Sequence, residues 1–268
     1  MRKVGVIRSS FDPITESTIQ YALKLRKDKQ LDGIVFEVNE EGILSKKERE
    51  GLLKYAIKPY RKLLLKKKKE DQIIYQEDYI QKDEKEVQQG QFYKAAHGIK
   101  RKLLGEGYYL KEILYHHCKE SRARHSEAVA KVCVELAKEH HVDEKKAWMM
   151  GMLHDITKNK EDSYQEALIK KYHPEILDYS PKVWHSYTAP HFLKTELGIQ
   201  DQGILKAIEN HTLGRGHSKL DYILYIADKC EPTRGYDASK EIKLSKENLR
   251  KGFELVMKEA EEYRNREE

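Results

Sequence analysis

The stretch Ala147-Trp148-Met149-Met150-Gly151-Met152-Leu153-His154-Asp155-Ile156-Thr157-Lys158 decides how the chain is read. Ala147, Met150 and His154 recur at three- and four-residue spacing, so a histidine and then a carboxylate stand where a helical apolar stripe calls for another aliphatic side chain. The pattern occurs twice more. His125 precedes Ala128, Val129, Val132, Cys133 and Leu136, and Asp228 closes the run Leu220, Ile223, Leu224, Ala227. A carboxylate on a core face is costly unless a cation or a set of donors compensates it. Three helices each turning imidazole or carboxylate inward would offer a divalent metal a mixed nitrogen and oxygen shell. A lone buried histidine is more often a satisfied core residue, but four such residues on three stripes favour a metal site. On one helix His154 and Asp155 lie about 100° apart, near enough to hold one ion from neighbouring directions.

Working outward, 268 residues suffice for one large or two ordinary domains. With 36% charged and 39% hydrophobic residues the composition suits a solvated, helix-rich protein. No apolar run reaches the roughly 18 residues of a membrane span, and Met1-Arg2-Lys3 leads directly into a strand-like segment with no signal-peptide core. Cys118, Cys133 and Cys230 lack the paired spacing of a zinc ribbon or a disulfide framework. A cytoplasmic location is therefore expected, without a membrane partner. The net charge of +6 is concentrated at Arg61-Lys62 and Lys66 to Lys69, but no aromatic interleaving accompanies that run. A solvated face is favoured there over nucleic-acid binding.

The chain divides by pattern. Residues 3–8 read as a buried strand, Ile14 to Leu25 as a helix and Gly33 to Val38 as a second strand, a βαβ unit with a right-handed crossover. A helix over roughly 45–65, a short strand near 73–75 and a polar helical stretch over about 83–104 continue the alternation. Gly105-Glu106-Gly107 reads as a turn and Tyr108 to Cys118 as a connecting helix. From Ser121 the pattern is almost purely helical, with breaks at Pro174, Pro181, Gly198, Gly214-Arg215-Gly216 and Pro232. The expected architecture is an α/β Rossmann-like domain over 1–112 followed by an all-α domain over 113–268.

Two resemblances sharpen this. Val6-Ile7-Arg8-Ser9-Ser10-Phe11-Asp12-Pro13-Ile14 resembles the opening of the nicotinate-nucleotide adenylyltransferase family. That family continues with His-x-Gly-His to bind nucleotide phosphates, whereas this chain has Thr15-Glu16-Ser17-Thr18. Both histidines and the glycine are gone, and Glu16 puts negative charge where phosphate would sit. The resemblance therefore implies a degenerate, inactive domain left with packing or partner contact.

The order His125, His154-Asp155, Asp228 is that of the HD phosphohydrolase superfamily. Together with Thr157-Lys158, His185-Ser186, Glu209-Asn210-His211-Thr212 and Ala227-Asp228-Lys229-Cys230-Glu231-Pro232-Thr233-Arg234, residues 121–235 resemble its YqeK branch, which hydrolyses diadenosine tetraphosphate symmetrically to two ADP. The resemblance implies His125, His154, Asp155 and Asp228 as metal ligands. Iron is the expected ion, with manganese, cobalt or magnesium as alternatives. It implies His185, His211, Thr212 and Arg234 as phosphate contacts, and Asp155 and Lys158 in catalysis. Arginine suits a phosphate because its fork donates two parallel hydrogen bonds. The implied chemistry is metal-assisted phosphoanhydride hydrolysis, Asp155 orienting the water and the cations offsetting charge on the phosphoryl oxygens.

Other HD hydrolases fit less well. Guanosine tetraphosphate hydrolases carry Glu-Asp where Thr157-Lys158 stands, and the Gly-Tyr-Pro signature of cyclic-di-GMP phosphodiesterases is absent. An HD-type nucleoside monophosphatase and a catalytically silent nucleotide-binding regulator are the alternatives. The expected partner is a small nucleotide, with a homodimer left open.

Overall fold

Strand β1 (Lys3–Ser9) is apolar on both faces, the signature of a strand covered on both sides of a parallel sheet. In the computed structural model, which describes residues 1–267 with side chains through 265, β1 lies inside a four-stranded parallel sheet of order β3-β2-β1-β4. Helix α1 (Glu16–Asp28) starts where the Thr15 hydroxyl accepts the Thr18 amide and leads to β2 (Gly33–Val38). Helix α2 (Lys46–Ile57) opens on a Ser45/Glu48 capping box. Strands β3 (Leu63–Leu64) and β4 (Gln72–Asp78) complete the sheet, and Val4, Val6, Val35 and Leu64 pack on one of its faces.

Two expectations are corrected here. The helix expected to about residue 65 stops at Ile57, because Pro59 has no N–H to donate to the carbonyl four residues back and its ring crowds that carbonyl, and Leu63-Leu64 join the sheet instead. The stretch 83–104 is also not one helix. It is broken into α3 (Glu84–Gln88), a 3₁₀ turn (Phe92–Lys94) and α4 (Lys100–Glu106), with Gly90 at φ 106° where side-chain-bearing residues are strained. Helix α4 absorbs Gly105, and only Gly107 turns the chain.

The loop after β1 is internally saturated. Glu84 accepts from the Ser10 hydroxyl at 2.8 Å and from the Asp12 amide. The fully buried Arg49 guanidinium donates to the carbonyls of Ser10, Asn39, Glu40 and Leu44 at 2.6–3.2 Å, tying the loops after β1 and β2 together.

The chain forms two units, Met1–Tyr109 and the helical remainder from Leu110. The second unit comprises α5 (Leu110–His117), α6 (Glu120–Glu139), α7 (Glu144–Leu153), α8 (Asp162–Tyr172), α9 (Trp184–Phe192), α10 (Gln202–Asn210), α11 (Lys219–Cys230), α12 (Ser239–Glu247) and α13 (Leu249–Glu267). The fold is α/β followed by all-α. Cys118, Cys133 and Cys230 are buried and unpaired, and no helix among the described residues is long and apolar enough to cross a membrane.

Helices α6 and α7 form the centre of the second unit. Gly151 makes their contact close, since a Cβ there would lie 2.5 Å from Ala130 Cα and 2.8 Å from its nitrogen. A satellite cluster of Ile169, Ile176, Trp184 and Tyr187 fastens α8 to the start of α9.

Candidate metal centre

Close contact of α6 and α7 brings the His125 and His154 rings to 5.4 Å between centroids. The expectation that His154 and Asp155 share a helix is corrected. Helix α7 ends at Leu153, His154 caps it, and i+3 hydrogen bonds (Ile156 to Leu153, Lys158 to Asp155) tighten the following turn. That turn carries Asp155 between two groups of side chains. Thr157, fully buried, pins the turn to α9 by donating to the His185 carbonyl at 3.1 Å. Helix α11 starts on a Ser218/Asp221 capping box and delivers Asp228 from its last turn.

The four expected metal ligands converge. His125 Nε2 lies 3.1 Å from Asp228 Oδ1 and 3.9 Å from Asp155 Oδ2. His154 Nε2 lies 3.5 Å from Asp155 Oδ2 and 3.8 Å from Asp228 Oδ1. All four residues are buried. His211, at the end of α10, joins them: its Nε2 is 3.8 Å from Asp155 Oδ1. Two trios, His125-His154-Asp228 and His154-Asp155-His211, each bring their ligand atoms within 4.8 Å of one another.

The donor set fits a divalent ion. His154 Nδ1 donates to the Gly151 carbonyl at 2.8 Å, while its buried Nε2 has no hydrogen-bond partner among the described residues. His211 Nδ1 likewise donates to the Ile208 carbonyl at 2.6 Å. Held at Nδ1, the proton leaves the Nε2 lone pair facing inward, the usual arrangement of a ligating histidine. Burial pushes His154 down to about 4, so it is neutral at pH 7, as a ligand must be. Burial opposes charge on Asp155 and Asp228. For Asp155 the imidazoles of His154, His185 and His211 outweigh it; for Asp228 Lys229, His125, His154 and Arg234 do. Both carboxyls stand well below the usual carboxylate range.

The expected phosphate contacts are placed unequally. His185 faces Asp155 Oδ1 at 2.9 Å, with its Nδ1 taken by Lys158 Nζ at 3.0 Å. Lys158 as donor leaves the proton on His185 Nε2, which lies 3.3 Å from His211 Nε2 and hydrogen-bonds it, so His185 differs from the other three imidazoles. Burial pushes it down to about 4 and also lowers Lys158 from its ordinary value. Arg234, in a 3₁₀ turn (Pro232–Arg234), places Nη2 2.6 Å from Asp228 Oδ1 and Nε 2.8 Å from the Asp228 carbonyl. Thr212 is half-buried, its hydroxyl 2.9 Å from Ser186 Oγ.

Three further residues escaped the sequence analysis. Arg122 donates to Asp155 Oδ2 at 2.7 Å, Lys229 to Asp228 Oδ2 at 2.7 Å, and Glu231 lies 2.9 Å from His125 Nδ1. Helical spacing offered a signal for two of them. Arg122 precedes His125 by three residues, and Glu231 follows Asp228 by three.

A helical unit that buries a histidine and carboxylate cluster under a rim of cations is the architecture of an HD-type phosphohydrolase. The HD domain family profile matches residues 122–233. The symmetrical bis(5′-nucleosyl)-tetraphosphatase of Bacillus subtilis is 35% identical over 127 residues, covering 46% of this chain and 68% of that protein. A probable nicotinate-nucleotide adenylyltransferase/Ap4A hydrolase of Mycoplasma genitalium is 35% identical over 148 residues, covering 52% of this chain but only 42% of that protein. Among solved structures, a predicted HD superfamily hydrolase involved in NAD metabolism from Clostridium acetobutylicum superposes with a TM-score of 0.54 at 28% identity, over 57% of this chain and 84% of that one. The chain belongs to the HD-domain family of symmetrical bis(5′-nucleosyl)-tetraphosphatases.

Proposed function

We propose that this protein is a metal-dependent hydrolase that cleaves diadenosine tetraphosphate, and related dinucleoside polyphosphates, symmetrically to two nucleoside diphosphates. The observation that carries the reading is one cluster in which inward-facing imidazoles meet two ionised carboxylates beside Arg122, Lys158, Lys229 and Arg234. His125, His154, Asp155 and Asp228 would hold the ion, with His211 within reach of it. Iron is the ion we favour over manganese, cobalt and magnesium. When bound, a divalent ion supplies a Lewis acid for the phosphoryl oxygens and makes water a nucleophile near neutral pH.

The chain's own residues supply the rest. Asp155 presents Oδ1 toward His185 and Oδ2 toward His125 and His154, so it can orient a water proton while facing the ion site. Lys158 and Arg122 stand on either side of that carboxylate through His185 and directly. Phosphoryl transfer accumulates charge on the oxygens and the departing ADP, and fixed cations there stabilise the transition state more than the ground state. Arg234 is held against Asp228, and a tetraphosphate arriving at the rim would compete with that carboxylate for its guanidinium. The first unit fits a degenerate nucleotidyltransferase-like domain, because Thr15-Glu16-Ser17-Thr18 replaces the phosphate-binding histidines and Glu84 takes the loop's donors.

The test is product identity. Protein purified anaerobically is given diadenosine tetraphosphate with iron or manganese, and nucleotides are separated by anion exchange. ADP as the sole product, lost on chelation and restored by the metal, is the expected result. ATP with AMP, or no turnover with either metal, would overturn the reading. Lys158→Met is expected to lower turnover about a hundredfold, the scale of one lost transition-state donor, with metal content unchanged. Steady-state rates beside metal analysis check it, and a rate within threefold of wild type would remove Lys158 from the mechanism.

A further inference from the structure

We infer that Glu231 is a positioning residue for the metal centre, acting through His125 to fix the nitrogen that faces the ion. The inference rests on the metal-dependent reading above. Glu231 follows α11 and is 1% exposed, yet it is a carboxylate in the interior of a helical unit. Burial of that charge requires several donors, and three surround it. His125 Nδ1 lies 2.9 Å from Oε1, the Thr233 hydroxyl 2.6 Å from Oε1, and the Thr233 amide 2.6 Å from Oε2.

The geometry at His125 gives the carboxylate its role. Both ring nitrogens face carboxylate oxygens, Glu231 at Nδ1 and Asp228 Oδ1 at 3.1 Å from Nε2. A neutral imidazole has one N–H, so one of the two contacts sets a lone pair against an anion unless a cation intervenes. His154 and His211 keep the proton on Nδ1 through backbone carbonyls. Glu231 does the same for His125 with a full negative charge. The Nε2 lone pair is then aimed at the ion site, and the anion behind the ring makes it a stronger electron donor. A carboxylate backing a ligating histidine in this way commonly contributes tenfold or more to metal affinity. The same carboxylate starts the turn that carries Arg234, so ring, ion site and one rim cation share a support.

Manganese(II) alone is the probe, titrated into metal-free full-length protein while the free ion is followed by its electron paramagnetic resonance signal. Glu231→Ala is expected to weaken manganese about 10- to 100-fold. Glu231→Gln keeps an acceptor for Nδ1–H but loses the charge, and is expected to fall between Ala and wild type. Thr233→Val removes a partner of the same carboxylate without touching His125, and should bind manganese as wild type does. Wild-type affinity in Glu231→Ala would overturn the inference, as would equal weakening by Thr233→Val, which would make Glu231 only a brace for the turn. If Glu231→Ala does not fold, wild-type affinity in Glu231→Gln overturns it instead. Failure of the wild-type protein to bind manganese or iron would instead sink the metal-dependent reading itself.

Discussion

Asp155→Ala is expected to leave the helical unit folded and to lower turnover on diadenosine tetraphosphate by about a thousandfold or more, roughly 4 kcal/mol of transition-state stabilisation. The carboxylate sits where two sets of side chains meet. Its Oδ2 faces His125, His154 and the Arg122 guanidinium, and its Oδ1 faces His185 and His211. Alanine removes the anion that Arg122 compensates, and with it the group able to orient a nucleophilic water. The ion site also loses one of its two carboxylates, so metal should be bound more weakly. Asp155→Asn separates shape from charge: it keeps the side-chain volume, but its amide nitrogen cannot bind a cation. Turnover and metal stoichiometry measured together check both variants. Activity within tenfold of wild type in Asp155→Ala would remove the residue from the mechanism.

Gly151→Ala should have the largest effect among changes that leave every polar group of the centre in place. In an ordinary helix this substitution stabilises by about 0.5–1 kcal/mol. Here the added methyl would lie 2.5 Å from Ala130 Cα and 2.8 Å from its nitrogen, both backbone atoms, and 3.0 Å from its Cβ. No rotamer change relieves a clash with backbone, so α6 and α7 must separate. Overpacking of this kind costs about 1–3 kcal/mol, which outweighs the helix-propensity gain. Thermal melting of the metal-free protein should show a lower midpoint, by about 2–4 °C per kcal/mol for a domain of 150–250 residues. Separation also moves His125 away from His154, and the Gly151 carbonyl that orients His154 Nδ1 shifts with it. A loss of metal affinity should therefore accompany the lower midpoint. Ala130→Gly should not rescue the double variant, because the closest contacts are to backbone. An unchanged midpoint, or full rescue, would show that the helices are less tightly apposed than the structure indicates.

How much of this was legible beforehand follows from the physics of each feature. Strand β2 is legible at Gly33–Val38, because a short run rich in β-branched and aromatic residues (Ile34, Val35, Phe36, Val38) has few other uses. The apolar period of the helix expected over 45–65 runs on past Pro59 through Leu63 and Leu64, which belong to a strand, so periodicity alone overstates its length. The stretch 83–104 is polar enough to suit a helix, a turn or a loop, and its breaks come from backbone conformation at positions that pattern alone does not rank.

At the metal centre the division is sharper. Sequence by itself determined that His125, His154, Asp155 and Asp228 belong inside. A charged or imidazole side chain on an apolar helical stripe must be compensated once the stripe is buried, and periodicity shows the stripe. Only the tertiary structure decided how they are compensated. Arg122, Lys229 and Arg234 reach Asp155 and Asp228 through the direction of long side chains, which spacing does not specify. His211 faces Asp155 because α10 ends beside the turn after α7, a contact between segments far apart in the chain. The inward nitrogens were decided last. Each imidazole has two candidate ligand atoms, and the choice rests on whether Gly151, Ile208 or Glu231 offers an acceptor behind the ring. Those acceptors are in position only once the helices have packed.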